Sequence, residues 1–314
     1  MAAFSLAPYT QHGKQAEGVG FPIMRAVGLI SLATGAVWDF AFGAYQGKET
    51  GEHALARQIM DSVKPGDVIL GDRYYDSYFF IAQVLQRDAD VITRLHGARG
   101  SDFRSGTYLG SGDHLVELVK PPKPKWMTQR VYDSMPETIV CRELKTGCTD
   151  NEGEEVVVVT TLKDPKKYSR TELAATYKLR WTVELDLRSI KSVMGMDFLS
   201  CKTPDMVSKQ IWTYILAYNL VRELIARTAK KYGLEPRKIS FTAAVQAFNV
   251  FAPVIGLVPE RTEALYNGML AAIAYHKIGN RPGRSEPRAK KRRPKAQPLL
   301  TEPRSKAKSR LGLT

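Results

Sequence analysis

The chain has 314 residues, 44% of them hydrophobic, enough to bury a substantial core in one elaborated domain or two. Its formal charge of +14 divides unevenly, because residues 281–314 hold 12 Lys or Arg against 2 Glu and leave a net of only +4 for residues 1–280. The longest strongly apolar stretch, 211–221, falls short of the ~20 residues a membrane-spanning helix needs, and the N-terminus has no secretory h-region.

From the N-terminal side, 23–32 and 36–42 read as two strands joined by Ala33-Thr34-Gly35, the second showing Ala36, Trp38, Phe40 and Phe42 on one face. A helix over 49–63, with Leu55, Ile59 and Val63 on one side, stops at Pro65-Gly66. Val68-Ile69-Leu70 is short, apolar and bounded by turn residues, so it reads as a buried strand with Asp72 at its carboxyl end. Open α/β sheets present ligand-binding groups there. A helix over 76–87 and a strand over 90–95 continue the α/β alternation. Asp39, between Trp38 and Phe40, reads as an outward-facing strand residue, and Glu17 as part of a glycine-rich loop.

Residues 96–168 change character, with β-rich patches at 114–120, 137–144 and 155–162 set apart by glycines and by Pro121-Pro-Lys-Pro-Lys125. They read as an inserted β subdomain. Trp126, beside Lys125 and Arg130, suits either stacking on a displaced base or a place in a small β core, and the core reading is preferred.

The segment from Tyr177 to Lys191 carries the densest chemistry. As one α-helix it brings Tyr177, Arg180, Glu184, Arg188 and Lys191 within roughly 80° of one another, a carboxylate flanked by phosphate-binding groups. Leu179, Val183, Leu187, Ile190 and Met194 form the neighbouring apolar stripe, and Ser169 with Glu172 has the form of a capping box. Solvated helices alternate charges too, so the second acid upstream, Asp72, is what favours a site. Helices over 205–232, ended by Gly233, over 240–251 and over 260–275 follow with core-facing spacing at Val207, Ile211, Ile215 and Leu224. The proline-rich basic stretch 281–314 reads as a flexible arm that neutralises phosphates without reading bases.

Cys141, Cys148 and Cys201 have neither metal-ligand spacing nor a disulfide count, and the five histidines are scattered, which argues against a zinc site. No glycine-rich phosphate loop supports nucleotide hydrolysis.

With these residues placed, the chain resembles the DDE transposases of bacterial insertion sequences, in the branch named insertion sequence four. The signature of that branch is Tyr, two residues, Arg, three residues, Glu, six residues, Lys, and it is met at Tyr177, Arg180, Glu184 and Lys191. Asp72-Arg73-Tyr74-Tyr75 is similar to the segment bearing the family's second catalytic Asp, and likeness extends from about residue 20 to Gly279–Arg284 and Lys290–Pro294. The resemblance implies an α/β, RNase H-like mixed sheet and a three-acid site holding two Mg²⁺, with Mn²⁺ as a substitute. Asp72 and Glu184 would be catalytic metal ligands. Tyr177, Arg180 and Lys191 would grip phosphates of the transposon end, joined by Arg73 beside Asp72 and by Arg188 on the charged stripe. Double-stranded DNA, as transposon end and target, would be the partner of a cytoplasmic protein located on the nucleoid, with a homodimer on DNA as the expected assembly.

One part of the pattern is unmatched. The family's first Asp lies on a central strand shortly before a segment like Gly20–Arg25, whereas residues 1–19 contain no Asp and only Glu17 as an acid. The expectation is therefore an RNase H-like sheet lacking its first strand, of marginal stability alone, with an inserted β subdomain and a helical C-terminal part. The expected division is 1–95 for the first part of the core, 96–168 for the insertion, 169–232 for the signature helix and completion of the core, 233–280 for a helical region and 281–314 for the tail. Three functions stay open: a transposase completed by an upstream-encoded fragment, a remnant that at most binds DNA, and a host RNase H-like nuclease.

Overall fold

The structure, a computed structural model, describes residues 24–45, 47–149, 153–197, 199–201, 203–279, 302–310 and 312. Strands β1 (Met24–Ile30) and β2 (Val37–Ala44) form the anticipated antiparallel hairpin. Its register jumps from Leu29 opposite Asp39 to Ile30 opposite Val37, leaving Trp38 as an extra residue. The bulge turns Trp38 outward, 59% exposed, while Phe40 and Phe42 stay buried, so these three aromatics do not share the face that strict alternation predicts.

Helix α1 (Glu52–Gln58) continues as a 3₁₀ turn over Met60–Ser62 and packs Leu55 and Ile59 against Ala41 of the hairpin. Strand β3 (Val68–Leu70), helix α2 (Tyr78–Leu85) and strand β4 (Asp90–Arg94) then make a parallel pair with its crossover. The β-rich stretch supplies β5 (Thr107–Gly110), β6 (Asp113–Val119), the short helix α3 (Gln129–Asp133), β7 (Thr138–Thr149) and β8 (Glu155–Thr160). These strands prolong the core sheet: the order is β3-β4-β8-β7-β6-β5, with β8 antiparallel to β4.

Alternation along the strands explains why successive residues are apolar at Val91-Ile92 of β4 and at 156–159 of β8. Val91 and Val159 join the cluster beneath α2 with Ile81 and Cys141, whereas Ile92 and Val158 join Leu173 on the opposite face. A sheet covered on both sides needs apolar residues at every position.

The sheet also buries charge between its interior strands β6 and β7. Arg142, 1% exposed, donates from Nε and Nη2 to the two oxygens of Asp113 at 2.8 and 2.5 Å and from Nη1 to the Tyr168 carbonyl at 2.7 Å. Removing one partner strands the other in a dry site. Arg142→Ala is accordingly expected to cost about 3–5 kcal/mol, read as a fall in the denaturant midpoint; an unchanged midpoint would show that the pair contributes nothing.

Helix α4 (Arg170–Lys178) starts with the predicted capping box, Ser169 and Glu172 bonding reciprocally. The chain then turns at Leu179–Arg180, resumes as α5 (Trp181–Arg188) and widens into a π turn over Ser189–Val193, so the signature segment is not the single α-helix expected. Helix α6 (Pro204–Tyr232) ends at Gly233, whose φ of 62° suits the left-handed cap. Helices α7 (Phe241–Leu257) and α8 (Thr262–Tyr275) follow, α7 running past Pro253 to exceed its predicted end. Together α6, α7 and α8 bury Ile211, Ile215, Ile225, Ala244 and Ile273 against Ile190 and the hairpin's Phe40 and Phe42. Within the basic tail, α9 (Arg304–Arg310) is a short helix with Ala307 buried; residues 280–301 lie outside the described part.

Candidate active site

The hairpin and the six-stranded sheet are separate ladders: among the described residues β1 pairs only with β2, and β3 only with β4. A cleft of about 660 Å³ lies between them, lined by Val27 and Leu29 of β1 on one wall and by Ile69 and Leu70 of β3 on the other. Asp72, Arg180 and Glu184 also line it.

Asp72 is delivered by β3. Immediately after the strand its Oδ1 accepts the Tyr74 backbone N–H at 2.8 Å, capping the 3₁₀ turn Arg73–Tyr75 and fixing the carboxylate at the sheet edge. Glu184 comes from α5, where its Oε1 accepts from Arg180 Nη2 at 3.0 Å and its side chain remains 43% exposed. Val183 and Leu187 line the cleft beside it, whereas Leu179 is exposed. Tyr177, at the end of α4, is half-buried. Burial raises its phenol pKa, Arg180 and Arg94 oppose that rise, and the charge of Asp72 adds to it. Tyr177 and Arg180, three residues apart, therefore share one electrostatic neighbourhood with Asp72 from a distant segment.

Four sequence-predicted site residues are absent from the cleft lining, the half-buried Tyr177 and three others. Arg73, Arg188 and Lys191 are exposed and are not among the cleft-lining residues. For Lys191 the reason is local: Met194 N–H bonds the Ser189 carbonyl at 2.9 Å across the π turn, so the 100° spacing that aligned Lys191 with Glu184 does not persist to that position. The turn at Leu179–Arg180 likewise offsets Tyr177 from the α5 face.

Two residues not singled out from the sequence do adjoin the site. Glu52, in the first turn of α1, lines the cleft, and its charge, after burial, helps push the Tyr75 phenol pKa upward. His53 stacks on Tyr74 at 4.5 Å and has its pKa lowered, chiefly by burial. An acid at a helix start is ordinary dipole compensation, so nothing local in Gly51-Glu52-His53 marked them. Trp126 and Asp39 are already engaged: Arg57 covers the indole at 3.8 Å, Phe79 meets it edge-on at 6.1 Å, and Asp39 accepts from Ser62 Oγ at 2.6 Å.

Carboxylate oxygens are hard donors that suit Mg²⁺, so Asp72 and Glu184 fit a divalent cation in kind. In number they fall short. Among the described residues no three His, Cys, Asp or Glu side chains are grouped closely enough to hold a metal ion.

Asp72 at a strand end and Glu184 on a helix thus line one cleft of a mixed α/β chain. Residues 4–220 match the family described as Transposase DDE domain. The chain belongs to that family, and its sheet is accordingly RNase H-like. It is similar to the transposase InsG for insertion sequence element IS4 of Escherichia coli strain K12, 26% identical over 281 residues that make up 87% of this chain and 61% of InsG. The putative transposase InsL for insertion sequence element IS186A, from the same strain, is 33% identical over 70 residues, 22% of this chain and 19% of that protein. The transposase for insertion sequence element IS421 of Escherichia coli shows the same identity over the same length. The chain thus spans about 61% of the length of InsG. Among the described residues no helix is long and apolar enough to cross a membrane.

Proposed function

We propose that this protein cleaves and joins DNA strands at the ends of an insertion element in a reaction dependent on divalent metal, with Asp72 and Glu184 as the catalytic metal ligands. The observation that carries this reading is that these two acids, far apart in sequence and on unrelated elements, line one cleft. Mg²⁺ is the proposed ion, replaceable by Mn²⁺; bound there, such ions stabilise the attacking and leaving oxygens of an in-line phosphoryl displacement. Arg180 both orients Glu184 and offers the rest of its planar fork to a phosphate. Tyr177, with its phenol held protonated, donates to a phosphate oxygen. Arg73, Arg188 and Lys191, exposed outside the cleft, serve flanking phosphates of the duplex. Transposon end and target are the DNA partners, met in the cytoplasm on the nucleoid by a homodimer.

The cleft itself supports an incomplete site. Among the described residues strands β1 and β3 each lack a ladder on the side away from β2 and β4, and backbone groups left so favour a further strand. A strand laid between them would pair on both sides and carry a third carboxylate to Asp72 and Glu184. The proposed source is a segment outside the described residues, encoded upstream of the hairpin and supplied on the same chain or as a separate fragment. The shortage of grouped acids also favours a second reading, a chain that binds DNA without cutting it.

Mn²⁺ titration followed by the EPR signal of the free ion tests the metal reading. Asp72→Asn and Glu184→Gln are each expected to weaken binding by about tenfold or more, the scale seen even when groups that only orient a ligand are removed. Unchanged binding in both variants would remove the assignment of these acids.

A further inference from the structure

Asp186 lies two positions beyond Glu184, about 200° around the axis of α5, and is 1% exposed. Its Oδ1 accepts from Arg222 Nη2 at 2.5 Å and from Arg237 Nη1 at 2.7 Å, and its Oδ2 accepts from Arg237 Nη1 at 2.8 Å. Arg222 belongs to α6 and Arg237 to the 3₁₀ turn Pro236–Lys238. Both guanidinium groups reach further, to the turn that joins β1 to β2. Arg237 donates from Nε to the Leu32 carbonyl at 2.6 Å and from Nη2 to the Ser31 carbonyl at 2.7 Å. Arg222 donates from Nε to the Tyr218 hydroxyl at 2.8 Å, which in turn donates to the Gly35 carbonyl at 2.8 Å.

Ser31 and Leu32 line the cleft, so one carboxylate behind the Glu184 helix is tied through two arginines to the end of the opposite wall. The turn is shaped around them. Gly35 has φ +81°, and a Cβ there would stand 2.7 Å from Arg222 Cζ and 2.8 Å from Arg237 Nη1. An apolar contact would join α5 to α6 equally well, and desolvating two cations for one anion offsets much of their attraction. What the ion network adds is direction, since each fork accepts one arrangement of helix, turn and hairpin.

We infer that Asp186 is the positioning residue for Glu184: it fixes the rotation of α5 and its separation from β1, and so aims the Glu184 carboxylate into the cleft. The inference takes its purpose from the metal reading of Glu184, but its geometry stands without it. Spin labels at Ala26→Cys on β1 and Leu185→Cys on α5, with Cys148 and Cys201 replaced by Ser and Cys141 left buried, report that separation by dipolar EPR in the full chain. Asp186→Asn is expected to widen a single narrow distance distribution and, without the labels, to weaken Mn²⁺ binding by about tenfold. In a Glu184→Gln background Asp186→Asn should cause no further loss, because positioning acts only through the carboxylate it positions. Gly35→Ala, which leaves Asp186 intact but displaces both guanidinium groups, should widen the distribution in the same way, and carries the test with Arg237→Lys if Asp186→Asn does not fold. A distribution that stays narrow in the folded variants overturns the inference, as does an equal Mn²⁺ loss with and without Glu184. Mn²⁺ binding indifferent to Glu184→Gln would instead defeat the metal reading and leave the spin-label distances to decide the role of Asp186.

Discussion

Purified with Mg²⁺ or Mn²⁺, the chain alone is expected neither to nick nor to join transposon-end DNA, and to gain metal-dependent cleavage when a strand bearing an Asp is supplied upstream or in trans. The warrant is the donor count at the cleft: Asp72 and Glu184 are hard ligands in the right kind of place, yet no third acid among the described residues groups with them. The edges of β1 and β3 that carry no ladder among the described residues would seat the added strand, and pairing on both sides would order its end beside the two acids. Glu184→Gln in the completed protein should lower the cleavage rate on the order of a thousandfold, since metal stabilisation is worth several kcal/mol and each 1.36 kcal/mol is a factor of ten. Cleavage by the unsupplemented chain, lost in Asp72→Asn, would mean that another acid fills the third place. Glu52 would be the first candidate because it already lines the cleft, whereas Asp39 is held by Ser62.

What was legible in the sequence was what depends on neighbours in the chain. The strand ending before Asp72, the capping box at Ser169 and the stop at Gly233 each follow from a few adjacent residues, and each is present. Elements fixed by distant contacts were not legible. Nothing in 107–110 announces β5, which among the described residues pairs only with β6, and the continuity of β8 with β4 is a long-range pairing. The break at Leu179–Arg180 and the π turn over Ser189–Val193 preserve a helical residue pattern while changing its phase, so a uniform 100° spacing does not describe the stretch from Tyr177 to Lys191. Asp186 was hidden for a related reason: an acid between two leucines reads as solvated until Arg222 and Arg237, from later segments, are seen to enclose it.

Removing the cations of the tail is expected to weaken DNA binding steeply at low salt and to flatten its salt dependence, while leaving base preference unchanged. Residues 281–314 carry 12 of the chain's 46 Lys and Arg, against 2 Glu. Each phosphate neutralised releases condensed counterions, so log affinity falls against log salt with a slope of about −0.9 per contact. If about half of these cations meet phosphates, deletion should reduce the slope by roughly 5 and low-salt affinity by on the order of a thousandfold. Deletion also removes α9 with its buried Ala307, and a packing loss could lower affinity by itself. Replacing the cations of 288–295 by Gln separates the two effects, because it takes charge from the arm and leaves α9 in place. A packing defect would shift affinity equally at every salt concentration; loss of phosphate contacts changes the slope. Fluorescence anisotropy with a labelled duplex across a salt series reads both quantities, and an unaltered slope in the deletion and the Gln variant alike would reduce the tail to a solubilising arm.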